Sequence, residues 1–476
     1  MTAATSSEAS GEAEGARVSG APDLGELRAA LSAAPDDAVL TDPDRMAGYR
    51  WDRANDPGAG VPLAVVRASS TEDVQATLRF ADRHRVPVVA RGAGTGLSGG
   101  SSAVDGCIVV STERMRRIEV DPATRTCTVE PGLLNVEVKA AVAEHGLWYP
   151  PDPSSFEICS IGGNIATNAG GLCCVKYGVT TDYVLGLTVV LADGTAVELG
   201  GPRLKDAAGL SLTKLFVGSE GTLGIVTRIV LRLLPATHAP ATLVATFPTL
   251  GGATDAVVGI TRSLRPSMLE LMDRHTVNAV EDHTRMGLDR SAAALLVVQS
   301  DESPAVAAQE LARVAEVCRD AGATEVVATD DPADGEAFVA ARRMAIPAVE
   351  RRGPLLLEDV GVPLPALGAL VQGIADVAER NDVDIAVVAH AGDGNTHPLI
   401  VCDPTDPAHL ARAQTAYGEV MELAIGLGGT ITGEHGVGRL KKPWLPSYLG
   451  EDAMRLNQRV KDALDPHGIL NPGAVF

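Results

Sequence analysis

The chain of 476 residues contains few aromatic side chains, which make up only 3% of it. Its hydrophobic core must therefore be built mainly from alanine, valine and leucine. The chain also lacks an excess of positive charge: its formal net charge is −21 at pH 7. We expect no nucleic-acid binding, because the phosphates would be repelled. No run of apolar residues is long enough to span a membrane.

The seven cysteines include no C-x-x-C pair. We therefore expect reduced thiols in a cytoplasmic protein, with no iron–sulfur cluster held by this chain. Residues 1–22 are rich in alanine, serine, glycine and glutamate, and they lack the basic start and apolar run of a signal peptide. This composition predicts a disordered tail.

The length predicts two or three domains. Short strands dominate up to Pro235. Alternating helical and strand segments follow to about residue 430, among them a strand at Ala241–Phe247 and a single helix at Ala333–Val349. They predict a two-layer α+β domain with an antiparallel sheet. Near the C-terminus, Glu451–Leu464 is predicted to form another helix.

Two histidine-containing segments carry the strongest chemical signal. A predicted strand ends at His390, and a glycine-rich turn then leads to His397. The second segment, Gly433–Gly438, contains Glu434. Two histidines and a carboxylate can form an open zinc-type site with a position left for substrate, although they could also be unrelated loop residues. We favour a site, because both segments occur together in a chain with ten histidines. The glycines around them allow close approach of a ligand.

A glycine-rich loop, Arg91–Ser101, follows the predicted strand Val86–Ala90. Its backbone N–H groups and hydroxyls suit a pyrophosphate. The loop satisfies the G-x-G-x-x-G pattern, but the helix that a dinucleotide fold requires does not follow, and neither does the Gly-Lys-Ser/Thr of a P-loop. Similar loops span residues 160–171 and 217–226. Three such loops between strands predict a cleft around an extended cofactor.

Together these motifs resemble the FAD-linked oxidase family, which has the vanillyl-alcohol-oxidase/p-cresol-methylhydroxylase fold, and in particular its D-2-hydroxyacid dehydrogenase branch. The resemblance covers about residues 40–476. It rests on the following segments: Arg91–Ser101, Pro131-Gly132, Pro151–Ser154, Ile161–Gly171, Gly218–Val226, His390–His397, Gly433–Gly438 and Asn471–Gly473.

The resemblance implies an α+β fold. A PCMH-type FAD-binding domain of two subdomains would span residues 23–236, and a cap domain with an antiparallel sheet and the metal site would span 237–440. Residues 441–476 would return to complete the FAD domain. The first loop lacks the histidine that attaches FAD covalently in some relatives, so non-covalent FAD is implied.

The resemblance also implies which residues contact FAD. They lie in the three loops, in the turns beside them and in the C-terminal tail: Arg91, Gly92, Ala93, Gly94, Thr95, Gly96, Leu97, Ser98, Gly132, Asp152, Ser155, Gly162, Gly163, Asn164, Thr167, Asn168, Ala169, Glu220, Ile225, Val226 and Asn471.

The implied reaction is the oxidation of a small D-2-hydroxy acid, with hydride transfer to flavin N5. The two histidines and Glu434 would hold a divalent metal, with zinc as the first choice, which polarises the hydroxyl. His435 would be the general base. Arg342 would bind the substrate carboxylate, although a solvated helix charge is an almost equal alternative, because Arg343 is adjacent. Asp393 and Asn395 are expected to shape their turn.

Leu357 stands where the D-2-hydroxyglutarate branch carries a lysine for the distal carboxylate. This difference favours glycolate or D-lactate as substrate. The alternatives are D-2-hydroxyglutarate, a non-redox flavoprotein such as an ether-lipid synthase, a metal-dependent hydrolase, or a binding subunit without turnover. A quinone, cytochrome or iron–sulfur subunit would accept the electrons, and it could hold the protein at the inner face of a membrane. A homodimer is compatible with the resemblance.

Overall fold

The computed structural model describes residues 22–31, 34–35 and 37–476. The tail predicted for residues 1–22 lies outside the described residues, except for Pro22. The N-terminal part of the structure, up to residue 236, contains two main sheets. One is a four-stranded sheet in the order β1-β2-β4-β3, and the other is an antiparallel five-stranded sheet in the order β5-β6-β10-β8-β9.

The elements of this part, in chain order, are α1 (Leu24–Ala30), β1 (Val39–Leu40), α2 (Pro43–Met46), β2 (Ala64–Arg67), α3 (Thr71–His84), β3 (Val88–Arg91), β4 (Ile108–Ser111), β5 (Ile118–Asp121), β6 (Thr126–Val129), α4 (Asn135–Ala143), β7 (Leu147–Trp148), α5 (Ile161–Thr167), α6 (Cys174–Tyr177), β8 (Val184–Val190), β9 (Ala196–Gly200), α7 (Leu212–Phe216), β10 (Ile225–Arg232) and β11 (Leu234–Pro235). Short 3₁₀ helices span Ala47–Tyr49 and Thr180–Asp182.

Helix α3 illustrates how the sequence determines where an element of this part begins, packs and ends. The Ser70 hydroxyl caps it by accepting a hydrogen bond from the N–H of Asp73 at 3.2 Å. Leu78 and its apolar neighbours on one face of the helix pack against Val66 and Ile108 of the four-stranded sheet. Arg85 ends the helix in the left-handed conformation, with φ of 55°. The helix thus covers the sheet whose strand β3 leads into the first glycine loop.

The middle part, residues 237–440, is built on one antiparallel sheet in the order β15-β12-β14-β13-β18-β19-β16, in which β17 also pairs with β19. Its elements are β12 (Ala241–Phe247), α8 (Leu250–Thr261), β13 (Met268–Asp273), α9 (Arg274–Thr284), β14 (Ala294–Ser300), α10 (Pro304–Asp320), β15 (Glu325–Thr329), α11 (Pro332–Arg343), α12 (Ala345–Glu350), β16 (Leu355–Leu357), β17 (Val360–Gly361), α13 (Leu367–Asn381), β18 (Ile385–His390), β19 (Asn395–Val401) and α14 (Pro407–Gly426), with a 3₁₀ helix at Leu364–Ala366.

Helices cover both faces of this sheet. Leu243 and Leu296 face one side, where they pack with α8, α10, α13 and α14. Val244 and Leu295 face the other side, where they pack with α9, α11 and α12. The two-layer arrangement predicted from the sequence is therefore wrong, because the central strands are buried on both faces and require a third layer.

The C-terminal segment returns to the N-terminal part. It contains a 3₁₀ helix at Lys442–Trp444, then α15 (Leu445–Leu449) and α16 (Glu451–Leu464). The buried ammonium of Lys461 donates hydrogen bonds to the carbonyls of Thr222 and Leu470, both at 2.8 Å, and to Asp465 at 2.5 Å. Leu470 then lies beside Val88 in a parallel bridge. The last turn is thus fixed against the four-stranded sheet.

Across the described residues, none of the helices combines the length and the apolar character that crossing a bilayer would require.

Candidate active site

All three glycine loops line one cavity. Of the sequence-predicted residues, the structure brings these to its wall: Arg91, Gly92, Ala93, Gly94, Thr95, Gly96, Leu97, Ser98, Ser155, Gly162, Gly163, Asn164, Thr167, Ala169, Glu220, Ile225, Val226, Arg342, His397, Glu434 and His435. The second loop is partly helical, since residues 161–167 form α5. The N-terminal part thus supplies most of the wall, and the histidine segments contribute His397, Glu434 and His435.

The first glycine loop contains several backbone N–H groups without a hydrogen-bond acceptor. The backbone N–H groups of residues 94–98 donate to no acceptor among the described residues. Arg91 packs beneath this loop, and a Cβ on Gly94 would lie 2.1 Å from its guanidinium. Gly94 also has φ of 74°, which favours glycine. A loop with several unpaired N–H groups suits a diphosphate.

Four of the predicted cofactor residues do not line the cavity but support its loops. The Asp152 carboxylate accepts a hydrogen bond from the N–H of Cys173 at 3.2 Å, and the Asn168 side chain accepts one from the N–H of Thr181 at 2.9 Å. A Cβ on Gly132 would lie 2.2 Å from the carbonyl oxygen of Thr112.

The fourth, Asn471, donates through its side-chain amide to the carbonyls of Gly100 and Glu220, both at 2.8 Å. It therefore joins the first and third loops.

Glu434 lies between two histidines. Its Oε1 is 3.1 Å from Nε2 of His390 and 3.2 Å from Nε2 of His397. Ligands of a tetrahedral ion with bonds of about 2.1 Å lie about 3.4 Å apart, so this donor set fits a divalent metal. His397 and Glu434 line the cavity, whereas His390 lies behind Glu434.

Asp359, which the sequence analysis missed, shapes the turn that carries Glu434 and His435. Its Oδ2 accepts hydrogen bonds from the N–H groups of Gly433, Glu434 and His435 at 2.9–3.0 Å, and from the Thr432 hydroxyl at 2.6 Å. On an extended strand, adjacent side chains would point to opposite faces. The curled backbone around this carboxylate instead lets both side chains face the cavity.

Asn395 and Gly433 complete this turn. The Asn395 amide donates to Oδ1 of Asp359 at 3.0 Å, and a Cβ on Gly433 would lie 2.3 Å from Oδ1 of Asn395. Asp393 accepts a hydrogen bond from the N–H of Asn395 at 3.1 Å. These contacts agree with the predicted turn-shaping role of Asp393 and Asn395.

Glu270, on β13, is the second residue that the sequence analysis missed. Its carboxylate lies 2.9 Å from Nδ1 of His390 and 2.6 Å from Nη2 of Arg342. Both Glu270 and Arg342 are buried, so Arg342 is not a solvated helix charge. The available sequence signals were, for Glu270, a charge inside the apolar run Met268–Asp273 and, for Asp359, the acidic pair Glu358-Asp359 that follows Leu355–Leu357.

The protonation of the site follows from burial and neighbouring charges. Burial alone would lower the pKa of His390, but Glu270 and Glu434 raise that pKa well above its usual range. Burial would raise the pKa of Glu434, but the histidines hold it well below its usual range. Burial lowers the pKa of His435 to about 4, against the attraction of Asp359. The His435 imidazole is therefore neutral at pH 7 and able to accept a proton.

Glu220 connects this site to the third loop. Its carboxylate accepts hydrogen bonds from the N–H groups of Val437 and Gly438 at 2.7 and 2.8 Å. Burial raises the pKa of Glu220 to about 7, although these two hydrogen bonds act in the opposite direction.

Comparison with known proteins gives consistent matches. The profile of the C-terminal domain of FAD linked oxidases matches residues 237–475, and a FAD binding domain profile matches residues 62–200. The chain is 41% identical to the glycolate oxidase subunit GlcD of Bacillus subtilis (strain 168) over 419 residues, which cover 87% of this chain and 89% of that protein. It is 35% identical to a D-lactate dehydrogenase of Archaeoglobus fulgidus over 435 residues, which cover 90% and 95% of the two chains.

Solved structures share the fold. p-Cresol methylhydroxylase matches with a TM-score of 0.79 and 18% identity, covering 95% of this chain and 96% of its own. Alkyldihydroxyacetonephosphate synthase matches with a TM-score of 0.74 and 19% identity, covering 94% and 85%. At these identities the likeness concerns the fold alone, and it confirms the predicted α+β class.

Proposed function

Because the chain belongs to the FAD-linked oxidases, we propose that it oxidises a small D-2-hydroxy acid, glycolate or D-lactate, to the 2-oxo acid. One observation carries this proposal: His397, Glu434 and His435 line the same cavity as the three glycine loops. The proposed base and two of the three proposed metal ligands would therefore lie beside the bound flavin. The names of the two relatives, a glycolate oxidase subunit and a D-lactate dehydrogenase, support this substrate class.

FAD would be held by the glycine loops, with its pyrophosphate at the free N–H groups of residues 94–98. When bound, it supplies the acceptor for the hydride that leaves C2 of the substrate. We propose that it is bound non-covalently, because the first loop contains no histidine. Acid precipitation should release all the flavin into the supernatant; a yellow pellet would contradict non-covalent binding.

A divalent metal, with zinc as the first candidate, would be held by His390, His397 and Glu434. When bound, such an ion supplies a Lewis acid for the substrate hydroxyl. The proposal is supported by the donor spacing and by Glu270, which contacts the far nitrogen of His390, as carboxylates commonly do beside metal-bound histidines.

The chain's own side chains then bind and deprotonate the substrate. Arg342 lines the cavity, and its Nε has no hydrogen-bond partner among the described residues, so the guanidinium can still receive the substrate carboxylate. Glu270 holds the guanidinium in place through an ion pair at 2.6 Å. His435 takes the hydroxyl proton at Nε2, which its neutral state allows.

Leu357 supports a small substrate. It packs against the apolar cluster on the α9, α11 and α12 side of the middle sheet, so it offers no charge for a second carboxylate. We therefore propose glycolate or D-lactate in preference to D-2-hydroxyglutarate.

A separate electron acceptor completes the proposal. The relative in Bacillus subtilis is named as a subunit, which supports a partner that takes the electrons. A quinone, a cytochrome or an iron–sulfur subunit would serve, and a cytoplasmic location with peripheral membrane contact through that partner fits this role.

Anaerobic flavin reduction tests the function. Purified FAD-loaded protein is mixed with the D and L forms of lactate and 2-hydroxyglutarate, and with glycolate, and flavin absorbance is followed in a stopped-flow instrument. We expect glycolate or D-lactate to bleach the flavin fastest. Bleaching by D-2-hydroxyglutarate alone would overturn the substrate choice, and no bleaching by any acid would favour a non-redox flavoprotein.

A further inference from the structure

We infer that the segment of residues 203–215 binds the surface of a membrane that carries anionic lipids, with its leucines in the headgroup region and its lysines on the lipid phosphates. The inference goes beyond the proposed function, because such binding needs neither substrate nor turnover. The protein would then contact the membrane through its own surface, and not only through a partner.

The 203–215 segment projects from one edge of the N-terminal part. The chain leaves the edge strand β9 at Gly200 and is exposed from Pro202 to Leu212. It returns through α7, which packs against β8 and β9 and ends at the buried Phe216 in the cavity wall. The segment is thus a loop with both ends fixed on the sheet and its middle in solvent, so its side chains are free to enter a soft surface.

Leucine is the main apolar residue of the segment. Leu210 is 84% exposed and Leu204 is 62% exposed, and Leu212 and Leu215 are each 37% exposed. Among the described residues, twelve large apolar side chains are exposed, and these leucines are four of them. Single exposed apolar residues are common, whereas a concentration of them indicates a surface that binds a partner or a membrane.

The same segment carries two lysines that face solvent. The chain has seven lysines, and five of them contact a carbonyl or a carboxylate: Lys139, Lys176, Lys441, Lys442 and Lys461. Lys205 and Lys214 are exposed and have no such contact in the part of the chain that the structure describes. The one acid of the segment, Asp206, pairs with Arg203 at 2.9 Å. The segment therefore presents two positive charges that no acid within it neutralises.

Charge and composition favour a membrane over a protein partner. The net charge of the chain is −21, so an anionic bilayer repels the protein except at a locally positive surface. Leucines beside lysines are typical of segments that lie in the bilayer interface. Protein interfaces are instead enriched in aromatic residues and arginine and depleted in lysine. The 203–215 segment contains no aromatic residue, and its one arginine is paired with Asp206.

Flotation with lipid vesicles provides the first test. FAD-loaded full-length protein is mixed with vesicles of equal parts phosphatidylglycerol and phosphatidylcholine, or with vesicles of phosphatidylcholine alone. We expect binding to the anionic vesicles only, and weaker binding as salt is added, because salt screens the charge of the lysines. No binding to the anionic vesicles, or equal binding to both kinds, would overturn the inference.

Substitutions assign the binding to the segment. Lys205→Gln combined with Lys214→Gln should weaken the affinity for anionic vesicles about 10–30-fold, since each lysine near an anionic surface contributes a factor of about five. Leu210→Ser should weaken this affinity about 10-fold, because the most exposed leucine no longer enters the headgroup region. FAD content equal to that of the wild type would show that these variants are folded.

Matched controls remove the same groups elsewhere on the surface. Arg262→Gln combined with Arg319→Gln removes two exposed positive charges from the middle part, and Leu456→Ser removes a leucine that is 63% exposed on α16. Both controls should bind anionic vesicles as the wild type does. Segment variants that bind as well as these controls would overturn the inference.

Two further outcomes separate this inference from its alternatives. Segment variants that keep vesicle binding but lose turnover with a protein acceptor would assign the segment to a protein partner and so overturn the inference. Wild-type protein that binds anionic vesicles through the segment but oxidises no hydroxy acid would refute the proposed function and support the membrane contact.

Discussion

Gly433→Ala tests whether the turn at the histidine segment is as tightly built as its contacts indicate. A Cβ at this position would lie 2.3, 2.4 and 2.6 Å from three atoms of the Asn395 amide group. Asn395 cannot yield freely, because it donates to Asp359 at 3.0 Å and accepts from the N–H of Thr396 at 3.1 Å. The amide must move by about 1 Å to reach an ordinary contact, and it then loses its hydrogen bond to Asp359.

The expected change in the free energy of unfolding combines two costs, the clash with the new methyl group and the lost hydrogen bond. Inserting a methyl group into a well-packed site costs about 1–3 kcal/mol. A hydrogen bond to a charged group contributes about 1.5–3 kcal/mol. Because the shift relieves part of the clash, we expect Gly433→Ala to lower the free energy of unfolding by about 2–4 kcal/mol and to weaken metal binding.

Chemical denaturation of the FAD-loaded protein measures this loss. The control is Gly426→Ala, at the end of α14, where a Cβ would meet nothing within 4 Å. It should be neutral or stabilise by about 0.4–1 kcal/mol. In an Asn395→Ala background the amide that blocks the new methyl group is absent. Gly433→Ala should therefore lower the free energy of unfolding by less than about 1 kcal/mol there. An equal cost in both backgrounds would refute this account of the turn.

Three further predictions follow from other contacts. His435→Ala should retain metal and FAD but reduce the flavin about 10²–10⁴-fold more slowly, whereas Glu434→Ala should lose metal. Metal analysis and stopped-flow kinetics distinguish the two variants. Loss of metal from both variants would make His435 a ligand. Burial raises the pKa of Glu220 from 4.5 to about 7, so the folded protein favours the protonated side chain. The stability that this protonation contributes is complete below pH 4.5 and is lost as the pH rises to about 7. Glu220→Gln should flatten this slope in denaturation curves, and an unchanged slope would contradict it. Lys461→Met leaves the Asp465 carboxylate buried without its cation, so it should destabilise the protein by about 3–5 kcal/mol; a change below about 1 kcal/mol in thermal or chemical unfolding would count against this role.

Local sequence signals predicted several elements well. Strand β12 and helix α16 have the predicted bounds, because each is set by its own hydrophobic pattern. The single helix predicted for residues 333–349 divides at Met344 into α11 and α12, since Pro347 is tolerated only in the first turn of a new helix. Helix α5 was predicted as a loop because of its glycines. Its Ser160 cap and its packing through Ile165 stabilise it nonetheless.

Some of the missed elements depend on distant partners. Strand β13 contains Glu270, a charge that reads as an interruption until Arg342 and His390 are placed beside it. Helix α14 went unpredicted, although Asp406 and Pro407 form a proper start signal for it. At the site, the two histidine segments were visible in the sequence. Asp359 was not recognised, because its role depends on a turn more than seventy residues away along the chain.

The attachment of the C-terminal segment has a consequence for biosynthesis. Leu470 and Asn471 pair with Val88, and Asn471 joins the first and third glycine loops. During translation, the N-terminal part leaves the ribosome long before these residues exist. While the whole middle part is synthesised, strand β3 at the edge of the four-stranded sheet has no pairing partner on its outer side. The nascent chain therefore cannot finish its cofactor cavity early, and an edge strand left unpaired in this interval is where a chaperone would be needed.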